Sequence, residues 1–152
     1  MYSSFRIPHL LLCAMRLFVG VVFIYSGWGK LMSPVQNFIV VIEGYQFLKS
    51  PYADLIALAF PWLELIFGTF LALGFLSRIS ASVLAIFLTS FIILLARSLL
   101  LHLPISECGC FGSGIALAPI QAIILDVGLL LMSLIAVGSE ARVLSLDQVL
   151  HK

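Results

Sequence analysis

The stretch Ile79-Ser80-Ala81-Ser82-Val83-Leu84-Ala85-Ile86-Phe87-Leu88-Thr89-Ser90-Phe91-Ile92-Ile93-Leu94-Leu95-Ala96 contains no charged residue and ends at Arg97. As a helix it would span about 27 Å, close to the thickness of a bilayer's hydrocarbon. Just upstream, 55–76 is apolar except for Glu64 and stops at the Ser77-Arg78 turn, so the two segments read as an antiparallel helical hairpin. Two further segments have the required length: 9–28, which carries one charge at Arg16, and 115–138, which contains Gln121 and Asp126. Backbone groups that face lipid must be satisfied within their own segment, so all four read as helices. The expected fold is all-α, a polytopic membrane four-helix bundle, with residues 1–152 forming a single integral membrane domain.

The composition excludes most alternatives. Of 152 residues, 62% are hydrophobic and 10% charged, whereas an ordinary soluble domain is about a quarter charged. The net charge is +1 and no run of Lys or Arg is present to neutralise phosphates, which argues against a nucleic-acid binder. Four crossings leave no room for a second, soluble domain, and the natural partner of such a surface is the lipid bilayer. No phosphate loop, hydrolase triad or dinucleotide fingerprint occurs. At the start of the chain, Arg6 precedes an apolar run that Arg16 interrupts, and no small-x-small cleavage site follows; the segment reads as a retained first crossing.

Between the first two crossings, Ser33-Pro34 has the form of a helix start, with serine as cap and proline in the first turn. Phe38, Val41, Ile42 and Tyr45 then recur at helical spacing. A short helix in the membrane interface and a loop packed over the bundle both fit. Four crossings put both termini on one side with Arg6, Arg16, Arg78, Arg142 and Lys152, against Lys30, Lys49 and Arg97 on the other. The positive-inside rule then favours cytoplasmic termini in a cytoplasmic (inner) membrane, with the loop around Cys108 on the outer, oxidising face.

That loop, Glu107-Cys108-Gly109-Cys110-Phe111-Gly112-Ser113-Gly114, is where chemistry is expected. Two cysteines one residue apart among glycines can close a small disulfide suited to exchange. The start of the fourth helix favours a thiolate at Cys110, Glu107 opposes it, and His102 is placed to serve as a proton partner. A purely structural bridge and a pair of inert thiols are the other readings. Cys108, Cys110 and His102 supply at most three metal ligands, and no second pair occurs at metal-site spacing, so no metal is expected. Cys13 reads as a small hydrophobe.

Charges inside the crossings are the second signal. Arg16, Glu64 and Asp126 should face the bundle interior and be paired or wet. Glu64 and Asp126 each lie twelve residues from one end of their segments, on the order of 18 Å, and Arg16 about 10 Å deep, so the three are expected to form an intramembrane polar network, with a proton or substrate path as the alternative. Trp28, Trp62, Tyr25, Tyr45 and Tyr52 gather toward the outer ends of the first two crossings. An interfacial aromatic belt explains them; one wall of a quinone-ring site, with Lys30 or Arg97 addressing the carbonyls, is the sharper alternative. Pro61 is expected to kink the second crossing where a cavity opens.

Several short motifs, in order along the chain, resemble a known family. Arg16-Leu17 with Gly20, Phe23-Ile24-Tyr25-Ser26-Gly27, Lys30-Leu31, Pro61-Trp62-Leu63-Glu64-Leu65 with Gly68, and Leu73-Gly74-Phe75 with Arg78 are similar to the DoxX-like four-helix membrane family. Cys108-Gly109-Cys110-Phe111-Gly112 resembles the branch that contains the methylamine utilisation protein MauE. The resemblance implies a cytoplasmic-membrane protein that helps mature an exported, disulfide-rich enzyme subunit alongside a periplasmic thioredoxin-like partner. It also implies Cys108 and Cys110 as a redox pair, with Arg16, Lys30 and Glu64 as family-pattern positions. The expected function is that of a membrane thiol-disulfide component, with quinone as a candidate acceptor; the alternative is a non-catalytic DoxX-like subunit or scaffold of a quinone-linked oxidoreductase complex.

Overall fold

In a computed structural model, residues 9–103 and 118–138 are described, and they form five α-helices. These are α1 (His9–Met32), α2 (Val35–Gly44), α3 (Tyr52–Leu73), α4 (Ser77–Leu100) and α5 (Pro119–Gly138). All but α2 are long and apolar enough to cross a membrane. The described residues form an all-helical, multi-pass membrane bundle.

Around the bundle the long helices follow the order α1, α3, α4, α5, with α5 closing back on α1. The tightest seam is α1 on α3. A Cβ added at Gly20 would lie 2.7 Å from the Gly68 carbonyl oxygen and 2.8 Å from Ala72 Cβ, and one at Gly27 would lie 2.7 Å from the Pro61 carbonyl oxygen. Lipid offers no hydrophobic drive for helices to associate, so close backbone approach and dispersion hold such a seam.

The same contacts fix direction and register. As residue numbers rise along α1 from Gly20 to Gly27, their partners on α3 fall from Ala72 to Pro61, so the helices are antiparallel. Extended one turn back, this register sets Arg16 opposite the C-terminal end of α3. Extended forward, it ends α1 at Met32 about 9 Å short of the level of Tyr52, where α3 begins. The short α2 packs on α3 and α1 at this end, burying Phe38 and half-burying Val41 and Ile42. We call this the α2 end, and the opposite one, where α3 meets α4, the turn end.

Val19, Phe23, Leu71, Ala81, Leu84, Leu88, Leu129 and Ala136 form the main core, to which all four long helices contribute. A smaller cluster of Tyr45, Leu95 and Ala122 ties the α2–α3 connection to the end of α4 and the start of α5. Arg97 Nη1 at the end of α4 donates to the Tyr45 carbonyl at 3.2 Å. The chain therefore leaves α4 and enters α5 at the α2 end.

Helix limits differ from the hydropathy reading where local chemistry outweighs it. Gly27 and Gly29 do not end α1, which continues to Met32, because Gly27 serves the backbone contact with Pro61. Ser33 does not cap α2: its Oγ donates to the Gly29 carbonyl at 2.8 Å and so finishes α1, leaving Pro34 at the α2 N-cap. The segment is a helix, not a loop. α3 starts at Tyr52, with Asp54 in its first turn facing the positive end of the dipole. It stops at Leu73 because Gly74, at φ 73°, adopts the left-handed cap, with Gly74 N–H donating to Leu71 O and Phe75 N–H to Phe70 O. α4 runs through Arg97 to Leu100. α5 opens at Pro119, where the Gln121 side chain accepts from the Ala118 N–H at 3.3 Å, half of a capping box.

Candidate functional site

The polar centre of the bundle forms where α1 faces α3 beneath α2. Ser26 and Lys30 lie four apart on α1 and therefore share a face, and helical side chains lean toward the N-terminus, which brings the lysine head back over the serine. Lys30 Nζ donates to Ser26 Oγ at 2.7 Å and to Glu64 Oε1 and Oε2 at 2.9 and 2.8 Å. The Ser26 hydroxyl faces the same carboxylate, 3.3 Å from Oε2 and 3.4 Å from Oε1. Lys30 and Glu64 are fully buried, at 4% and 1% exposure. An ammonium has three donors, and here they meet two carboxylate oxygens and one hydroxyl.

Rings complete the enclosure. The Phe38 centroid on α2 lies 5.5 Å from Lys30 Nζ and that of Phe91 on α4 5.8 Å, within cation–π range. Phe60 links this wall to α4 through Phe91 at 5.4 Å and Phe87 at 4.6 Å. A buried ion pair with every donor satisfied can fix two helices in register, and a carboxylate, hydroxyl and ammonium in contact can also pass a proton among themselves.

The residues singled out in the sequence separate into distinct places. Glu64 is paired with Lys30, not with Arg16. The sequence-based depths assumed that each crossing starts at one common plane, whereas the register slides α1 along α3 until Arg16 faces the α3–α4 turn. Arg16 is buried there, at 7% exposure, and makes no hydrogen bond or ion pair among the described residues. Asp126 is buried within α5.

The residues of the aromatic wall also divide. Trp28 and Trp62 each follow a residue of the Gly27–Pro61 contact, so they stand at one level beside the α1–α3 seam, more than half exposed. Lys30 turns into the bundle instead, and Arg97 sits at the end of α4 on the Tyr45 carbonyl, 5.9 Å from the Phe47 ring. Tyr45 is buried and Tyr52 exposed. Where a kink at Pro61 was expected to open a cavity, α3 is continuous and the Gly27 backbone packs on the Pro61 carbonyl. His102 lies just past α4 at φ 48°, with Nδ1 3.3 Å from the Leu100 carbonyl. Cys13 is half-buried on α1 with a free thiol. Cys108 and Cys110 lie outside the described residues.

Ser26 escaped the reading from sequence, as did the pairing of Lys30 with Glu64. The available signal was the spacing of Ser26 and Lys30, which marks one helix face.

Comparison with known proteins adds one finding. The profile of the family described as methylamine utilisation protein MauE matches residues 8–139, a span that contains all five helices. No curated protein and no solved structure matches the chain. With 132 of its 152 residues inside that match, this multi-pass membrane chain belongs to the family of the methylamine utilisation protein MauE.

Proposed function

We propose that the protein is a membrane thiol-disulfide component that assists disulfide formation in an exported enzyme subunit, with Cys108 and Cys110 as its redox pair. The observation that carries this reading is topological. The chain leaves the bundle after α4 and returns at α5 on the α2 end, so the two helix ends that flank the cysteine-bearing segment lie at the same end of the bundle. Family membership supports the setting, a membrane protein associated with methylamine utilisation. The excess of basic residues on the other side favours cytoplasmic termini in the inner membrane, and hence an outward, oxidising position for the cysteines.

The chemistry balances as follows. A thiolate of a thioredoxin-like partner attacks the Cys108–Cys110 disulfide, forming a mixed disulfide and releasing one cysteine of the pair as a thiolate. The partner's second thiolate resolves the mixed species and leaves the partner oxidised and the pair reduced. Re-oxidation of the pair passes two electrons and two protons to a quinone-class acceptor dissolved in the bilayer. Trp28 and Trp62, level with each other on the lipid side of α1 and α3, are the aromatic surfaces such a ring would meet first.

Membrane-impermeant maleimide labelling of intact cells, with and without mild reduction and read by mass, tests the reading. Labelling of Cys108 and Cys110 only after reduction is the expected result. Absence of external labelling, or thiols that no reductant changes, overturns it. Replacing both cysteines by serine should abolish client maturation at normal membrane levels of the protein; loss of the protein itself would instead favour the non-catalytic scaffold.

A further inference from the structure

The turn end of the bundle holds polar groups that the reading above does not use. Arg16 is more than nine-tenths buried, its Nε has no hydrogen-bond partner, and a guanidinium carries five donors that call for acceptors. No described carboxylate is placed to serve it. Glu64 is engaged by Lys30, Glu43 and Asp54 lie at the α2 end, and Asp126 stands twelve residues before the end of α5.

The α1–α3 register sets Arg16 at the level of the α3–α4 turn, and that turn carries a second orphan. Ser77 Oγ is buried with no hydrogen-bond partner. Ser77 is also the first residue of α4, a helix of 24 residues that starts behind a left-handed Leu76 with no side-chain cap. Its first amides therefore point outward at the positive end of the helix dipole. Arg78 stands exposed beside them. Two cationic side chains, a hydroxyl and uncapped amides, with no carboxylate beside them among the described residues, are what a phosphate group requires. The level matters too, because one apolar span stops at Leu73 and the next starts at Ser77.

We propose that Arg16, the Ser77 hydroxyl and the first amides of α4 bind the phosphate of an anionic lipid headgroup at the turn end of the bundle. Arg16 supplies the charge and a pair of parallel donors, Ser77 and the amides complete the shell, and Arg78 draws anionic lipid to the site from outside. A guanidinium buried at this point is then paired in the membrane.

The full chain, purified in a non-ionic detergent and stripped of lipid, tests this by thermal unfolding during titration with phosphatidylglycerol, with diacylglycerol as the phosphate-free counterpart and inorganic phosphate as the free anion. Phosphatidylglycerol should raise the melting temperature saturably and diacylglycerol should not. Arg16→Gln should raise the half-saturating concentration roughly tenfold or more and Ser77→Ala by about threefold, as loss of charged and neutral hydrogen bonds respectively demands. An equal, Arg16-dependent rise with inorganic phosphate would support the site and identify the free anion as its source. No rise with either phosphate compound, an equal rise with diacylglycerol, or an Arg16→Gln titration equal to that of the unmodified chain would overturn the proposal. Should Arg16→Gln fail to fold, an unchanged Ser77→Ala titration overturns it as well.

Discussion

Lys30 Nζ lies 2.8 Å from Glu64 Oε2 inside the bundle, and both side chains are closed off from solvent by α2 and by the rings of Phe38 and Phe91. The pair joins α1 to α3 at the seam where Gly27 meets Pro61, so an electrostatic contact and a backbone contact secure one register. Removing one partner strands a charge in a medium that cannot solvate it, whereas removing both leaves an apolar gap.

Glu64→Leu or Lys30→Met alone should therefore destabilise the bundle by about 3–5 kcal/mol, and the double replacement by clearly less than the sum of the two. Helix unfolding followed by circular dichroism in detergent measures this. Additive single effects would show that the two side chains are not energetically coupled.

Gly20 and Gly27 are sites of close backbone approach. Gly20→Ala places a methyl group 2.7 Å from the Gly68 carbonyl oxygen, and backbone on both helices must shift to admit it, at a cost of about 1–3 kcal/mol. Gly128→Ala, on α5 with no atom within 4 Å of the new methyl, should be neutral or slightly stabilising. Equal melting temperatures for the two variants would contradict the α1–α3 packing.

Trp28 and Trp62 provide a spectroscopic test of the register. Single-tryptophan variants, Trp28→Phe and Trp62→Phe, reconstituted with lipids brominated at defined carbons, should report depths that agree within about 3 Å, two residues of helical rise. Trp62 stands ten residues into α3 and Trp28 only four before the end of α1, so helices that began at a common plane would give clearly different depths.

Arg97→Ala removes the hydrogen bond from α4 to the Tyr45 carbonyl and the contact with Phe47. Amide exchange should rise across residues 45–50 while the core of α3 stays protected, with a global loss of only about 1 kcal/mol. Exchange that rises equally throughout α3 would assign Arg97 a wider structural role.

The helical character of the chain and its four spans were legible in hydropathy alone, because lipid permits no other solution for apolar runs of this length. Ile79 to Ala96 and the polar Ser77-Arg78 step were enough to place the α3–α4 hairpin, although the turn itself falls at 74–76 and Ser77 and Arg78 already open α4. Hydropathy also showed which charges had to be buried, Arg16, Glu64 and Asp126, since the cost of a charge in hydrocarbon depends on its segment and not on its neighbours. It did not show who pairs with whom. That depends on how far one helix slides along the next, and the slide is set by Gly20 against Gly68 and Ala72 and by Gly27 against Pro61, contacts between residues nearly fifty apart at the first pair and more than thirty at the second. A helix end can be read from local composition, but register is a property of two surfaces. The sequence by itself determined that this is a four-span helical membrane protein with ionisable groups inside it; only the tertiary structure gave Glu64 to Lys30 and left Arg16 at the turn, because close packing, not spacing along the chain, decides which side chains share a level.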